Sequence, residues 1–173
     1  LVMNYSGHGS PYQISHEKVL SLADFKAFSS GKFPLWVVAS CEVTPFDMLE
    51  ETIGEDALLN QDSAAVAFYS SARAVYSTQN SILNKYFMYY VFAKDTSGVR
   101  LSLGDAARMT KVNLVSTTQV DDQKDYTENK LKYALMGDPA LTLAMPTNDV
   151  VLDKINGVAV TSETLPQLKA GSV

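Results

Sequence analysis

Two observations predict an α/β fold: a mostly parallel sheet in three layers, with helices on both faces. The runs "PLWVVAS" (34–40) and "AAVAFYS" (64–70) are apolar almost without interruption. Strands buried on both faces read this way. Between and after them lie stretches whose apolar residues recur three or four apart, as on one side of a helix. Strands separated by helices imply parallel neighbours with helices packed above and below. A chain of 173 residues, 46% hydrophobic and 19% charged, is long and apolar enough for one domain with a real core.

The elements follow in order. "LVMNY" (1–5) reads as a short buried strand, and 22–28 as a short helix carrying Leu22, Phe25 and Phe28. After the strand at 34–40, residues 47–60 look helical, with Leu49, Ile53 and Ala57 four apart. The strand at 64–70 leads to a helix over 79–94, striped by Leu83, Phe87 and Val91. Ser102 with Asp105 three residues later resembles a capping box that opens a helix toward Thr117. A last helix is expected over 128–136, ended by "MGDP". After Pro146 the character changes. Val150, Leu152, Val158 and Val160 alternate around Asn156-Gly157, a hairpin pattern without helices. Residues 1–146 are therefore expected to form the α/β part, and 147–173 the beginning of a separate β domain.

Charge and composition exclude several classes. A net charge of −5 argues against nucleic acid, which calls for a basic face. No apolar run is long enough to span a membrane, and no signal peptide is visible, an absence that decides little. The single cysteine, Cys41, excludes an internal disulfide. The chain opens inside its first strand, and the expectation is that an upstream part of the same polypeptide completes the sheet.

Chemistry concentrates at two places. In "NYSGHGS" (4–10), His8 stands between two glycines just past the first strand. In "LWVVASC" (35–41), Cys41 stands just past the next one. Ligands bind at the carboxyl ends of strands in open α/β sheets. If the two strands are parallel neighbours, His8 and Cys41 meet at one sheet edge. An imidazole can then take the thiol proton and return it to a leaving group. Backbone N–H groups of Gly9 and Cys41 could face the oxyanion of a tetrahedral intermediate.

Plainer readings stand beside this one. A free cysteine is most often a small buried hydrophobe, and a histidine in a glycine turn most often a loop residue. His16, in a polar stretch before Glu17, reads as a surface residue. Zinc held by His8, His16 and Cys41 is disfavoured by their spacing, and no phosphate loop or cofactor motif is present. Asp47, three before Glu50, reads as a helix cap. Asp121, Asp122, Asp125 and Glu128 are better explained as a solvated helix start than as a calcium site.

"GHGS" followed by "ASCEVTPFD", 33 positions apart from His8 to Cys41, resembles the gingipain family of cysteine peptidases, caspase-like enzymes of clan CD. "ALLNQDSAAVAFYSSARAVYS" and "LMGDPALTLAMP" extend the resemblance over residues 1–146, and "INGVAV" is similar to the opening of the immunoglobulin-like β-sandwich that follows in that family. Within it, "SCEVTPFD" with "ARAVYS" looks most like the type IX secretion sortases of Bacteroidetes, which remove C-terminal sorting signals.

The resemblance implies Cys41 as nucleophile, His8 as general acid/base, and Gly9 and Cys41 as oxyanion donors. It implies no cofactor and no metal. Expected partners are protein or peptide substrates and a surface-glycan acceptor, and the expected location is secreted or on the outer membrane. It also implies that the acidic partner of His8 lies upstream of this chain. The loop "SSARAVYS" (70–77) is a candidate wall of the substrate pocket, through Ser71 and Arg73 together with Glu42. The alternative is an ordinary loop with Arg73 solvated. The function expected is that of a cysteine endopeptidase or transpeptidase working through a thioester. The alternative is a catalytically silent caspase-like binding domain.

Overall fold

The structure, a computed structural model, describes residues 2–29, 31–62, 64–117, 127–145 and 151–161. They fall into two compact units, Leu1–Leu143 and Ala144–Val173.

The first unit is built on a four-stranded sheet. Its strands are β1 (Val2–Ser6), β5 (Leu35–Ala39), β6 (Ala67–Ser71) and β7 (Tyr133–Gly137), in the order β1-β5-β6-β7. The pairs β1–β5 and β5–β6 are parallel, and β6–β7 is antiparallel. Beside β1, the chain makes a small antiparallel sheet from β2 (Gly9–Ser10), β3 (Gln13–Ile14) and β4 (Leu20–Ser21). The helices are α1 (Leu22–Ala27), α2 (Ile53–Leu59), α3 (Ser77–Phe92), α4 (Leu103–Thr117) and α5 (Thr127–Lys132).

The expected three layers follow from side-chain alternation along the two central strands. Leu35, Val37, Ala67 and Tyr69 face one way and pack against Leu83, Phe87 and Val91 of α3 and Leu103, Ala106 and Leu114 of α4. Trp36, Val38 and Phe68 face the other way, onto Phe25 of α1 and Ile53 and Ala57 of α2. Every residue of β5 and of β6 is buried. The Tyr69 and Phe87 rings stack at 3.9 Å on the first face, and Trp36 and Phe68 stack at 6.1 Å on the second.

Several expectations are corrected. The first strand is not buried: Met3, Asn4 and Ser6 are exposed, because β1 has one neighbour among the described strands. The helix expected over 47–60 begins only at Ile53. Thr52 and Glu55 form its capping box, which leaves 47–52 as turns. The helix expected over 128–136 stops at Lys132, and Tyr133–Gly137 is a strand. Its backbone completes the open side of β6, from Ser71↔Tyr133 to Ala67↔Gly137, and that long-range pairing overrides the local helical pattern. The box at Ser102 and Asp105 does open α4, the Asp105 N–H donating to Ser102 Oγ at 3.1 Å.

In the second unit, β8 (Lys154–Ile155) and β9 (Val158–Ala159) form a hairpin. Asn156 and Gly157 carry φ of 51° and 79°, the two positive values that a type I′ turn requires. Most of residues 147–173, where a β domain is expected, lie outside the described residues, as do Val150, Asp121, Asp122 and Asp125.

Candidate active site

The register of the sheet decides where the two chemical turns lie. β1 pairs with β5 so that Ser6 is opposite Ala39, and the ladder runs one bond further, Gly7 N–H to the Ala39 carbonyl at 3.2 Å. His8 and Cys41 each follow two residues after that last pair. Both turns therefore leave the sheet at the same edge and the same level.

Gly9 brings the turns into contact. A Cβ at Gly9 would stand 2.4 Å from Ser40 Oγ and 3.0 Å from Val43 Cγ2, so a glycine is required for the backbones to come this close. Beyond Gly9 the chain folds back: the Ser15 N–H donates to the His8 carbonyl at 2.9 Å. This makes Gly9–Ile14 a non-hydrogen-bonded pair of the β2–β3 ladder and leaves the Gly9 N–H outside it. The Tyr5 hydroxyl also donates to the His8 carbonyl, at 2.8 Å. The imidazole itself is exposed, and so is that of His16.

Cys41 is half-buried, and its Sγ–H donates to the Val75 carbonyl at 3.5 Å. No hydrogen bond joins the thiol to the imidazole of His8 among the described residues. The next residue, Glu42, holds a left-handed φ of 50°, rare for a side chain of this kind. Its N–H is shared between the Arg73 carbonyl at 3.3 Å and Ser71 Oγ at 3.1 Å. Ser71 Oγ in turn donates to the Ser40 carbonyl at 2.5 Å.

A cavity of about 320 Å³ opens beside Glu42, lined by Pro11, Pro45, Asp47, Met48 and Arg73 as well. Glu42 and Arg73 thus reach a cavity, whereas Ser71, expected with them, does not. Ser71 is fully buried beneath the Cys41 turn. Asp47 is not a helix cap either. Its carboxylate takes two hydrogen bonds from the Arg73 guanidinium, one of them 2.9 Å, which hold it below the usual carboxylate range.

Glu17 escaped the sequence reading. Its carboxyl accepts from the Ser15 hydroxyl, and this bond foremost, then a backbone hydrogen bond, keeps it below the usual glutamate range. The Val75 carbonyl was missed as well, as was the bonding of the Ser71 hydroxyl, a residue expected only as pocket wall, to the Cys41 turn. The only local sign of the latter was the pair of serines ending a buried apolar run. Among the described residues no cluster of His, Cys, Asp or Glu could hold a metal ion, and no helix is long and apolar enough to cross a membrane.

The fold and the sequence both have relatives. The crystal structure of the Arg-specific cysteine proteinase gingipain R superposes with a TM-score of 0.69 at 18% identity, over 81% of this chain and 32% of that one. A complex of the pro- and mature domains of RgpB from Porphyromonas gingivalis gives 0.70 at 16% identity, over 81% and 33%. A third structure, described only as a protease, gives 0.63 at 16% identity, over 96% of this chain and 39% of that one. The chain thus spans between about a third and two fifths of the length of each. No curated protein sequence matches it. The profile of peptidase family C25 matches residues 1–144, and the chain belongs to that family, the gingipain family of cysteine peptidases.

Proposed function

We propose that this chain carries the nucleophile and the base of a cysteine endopeptidase. The observation that carries the reading is the parallel β1–β5 register, which ends both strands level and leaves His8 and Cys41 two residues beyond. Cys41 Sγ attacks the scissile carbonyl while His8 takes the thiol proton, and His8 then returns that proton to the departing amine. The thioester left on Cys41 is released by water or by an amine. Developing negative charge on the carbonyl oxygen faces the N–H groups of Gly9 and Cys41. The cavity at Glu42 and Arg73 receives part of the substrate chain. To reach the thiol, the imidazole swings from its exposed position and displaces the thiol's bond to the Val75 carbonyl.

The finer reading is removal of C-terminal sorting signals from secreted proteins at the bacterial surface, with water or a surface glycan as acceptor. Its support is the likeness of "SCEVTPFD" and "ARAVYS" to the type IX secretion sortases. An upstream part of the polypeptide contributes further strands and the rest of the specificity pocket in this reading. One observation favours the catalytically silent alternative: the thiol is bonded to a backbone carbonyl and not to the imidazole.

Substitution in the full-length protein decides between them. Cys41→Ala and His8→Ala should each lower peptide cleavage by about 10³-fold or more, and the double variant little further, because such groups act as a unit. His16→Ala should leave cleavage unchanged. Iodoacetamide should label Cys41 near neutral pH, where an inert structural thiol does not react. Full cleavage by the Cys41→Ala protein overturns the reading.

A further inference from the structure

Ser71 ends β6, is fully buried, and directs its hydroxyl at the two peptide groups that flank Cys41. The bond it donates to the Ser40 carbonyl, 2.5 Å long, has a geometric consequence. That carbonyl and the Cys41 N–H belong to one peptide plane, and in a trans peptide the two point in opposite directions. In the sheet order β1-β5-β6-β7, Ser71 lies on one side of β5 and the His8 turn on the other. Drawing the Ser40 carbonyl toward β6 therefore aims the Cys41 N–H toward the His8 turn. Among the described residues this N–H makes no hydrogen bond.

Ser71 is itself held in place. Its carbonyl accepts from the Thr44 N–H at 3.1 Å and from Thr44 Oγ1 at 3.2 Å, so the turn after Cys41 closes back on the residue that braces it. By accepting from Glu42 N–H at 3.1 Å, the same hydroxyl also secures the left-handed residue that follows the thiol. Ser70, next in the strand and equally buried, is an internal contrast. Among the described residues its hydroxyl finds no partner.

We propose that Ser71 is a positioning residue that sets the Cys41 N–H as an oxyanion donor, acting through the peptide plane between Ser40 and Cys41. The proposal rests on the reading of Cys41 as nucleophile. It assigns Ser71 no contact with substrate and no part in making the thiolate.

The test separates attack on a carbonyl, which builds an oxyanion, from alkylation by iodoacetamide, which does not. In the full-length protein, Ser71→Ala should lower kcat for a peptide substrate by about 10- to 100-fold, somewhat less than outright loss of an oxyanion donor. KM should stay within about threefold, as expected when the lost interaction acts in the transition state alone. The alkylation rate of Cys41 should stay within about twofold of the parent, because it depends on thiolate character and access. Ser71→Thr, which keeps a hydroxyl, should recover most of kcat, and Ser70→Ala should leave kcat unchanged. If the alanine protein does not fold, Ser71→Cys, of similar volume and weaker donor strength, should show the same fall in kcat. An unchanged kcat in Ser71→Ala or Ser71→Cys overturns the proposal. So does an alkylation rate that falls together with kcat in Ser71→Ala, or a threonine variant no better than alanine. Cleavage surviving in Cys41→Ala would instead remove the nucleophile reading beneath it, a result distinct from all of these.

Discussion

The two turns that carry the site are anchored very differently. The Cys41 turn follows β5, a strand buried at every position, and it is braced from β6 by Ser71 and closed by Thr44, both fully buried. The His8 turn follows β1, a strand with three exposed residues out of five, and the bonds that hold it, from Tyr5 and Ser15, converge on the His8 carbonyl. One turn is set in the core and the other hangs on its rim. A nucleophile must present its atom and the neighbouring N–H in one geometry, whereas a base must move a proton between two partners. The difference in anchoring suits the tasks proposed for Cys41 and His8.

The largest expected effect breaks the comparison at its root. Phe68, in β6 beside the braced turn's strand, stacks on Trp36 of β5 and is fully buried. Phe68→Ala should cost about 3–5 kcal/mol in denaturant unfolding. Met3→Ala, in the strand before His8, should change stability by about 0.5 kcal/mol or less, since Met3 is exposed. Equal costs would show that the β5–β6 core and the rim strand β1 are not anchored unequally.

A smaller effect is expected where the turns touch. Gly9→Ala places a methyl against Ser40 Oγ and Val43 Cγ2, and Ser40 is fully buried and has little room to yield. Overpacking of this sort costs about 1–3 kcal/mol. Because it parts the two turns, kcat should fall by more than the loss of folded protein explains. Activity tracking the folded fraction would mean the contact serves stability alone.

The smallest effect is confined to the rim. Glu17 is held charged mainly by the Ser15 hydroxyl, with its folded value below the ordinary one. Its contribution is therefore complete above roughly pH 4, the ordinary glutamate value. It is lost as the pH falls further, through the depressed folded value. Hydrogen exchange over residues 8–18 should quicken in that acid window while β5 and β6 remain protected. Glu17→Gln should abolish the step. Exchange rising equally in β5 would tie the rim to the core.

Much of the fold was legible because burial on two faces leaves a local mark. The runs at 34–40 and 64–70 could be read as strands, and the stripe of Leu83, Phe87 and Val91 as a helix, from neighbours along the chain. Tyr133–Gly137 could not, since its strand exists to fill the open hydrogen bonds of β6, more than sixty residues earlier. Asp47 was misread for the same reason: its partner Arg73 is 26 positions away, while Glu50 is three. Of the site, residue types and their places after strands were visible. The bond from Cys41 to the Val75 carbonyl and the bond from the Ser15 hydroxyl to Glu17 were not.

By itself, then, the sequence determined that the runs at 34–40 and 64–70 are apolar enough to be buried, and that a histidine and a cysteine follow the strands at 1–5 and 34–40. These are consequences of composition and period within a few residues. Tertiary structure alone decided that β1 lies beside β5 in a register that levels the two turns. It decided also that β7 runs antiparallel to β6, and that Ser71 turns from a candidate pocket wall into the buried brace under Cys41. The physical reason is that backbone N–H and C=O groups are the same in every residue. Which of them pair is settled only when distant segments are brought together and each buried group must find a partner.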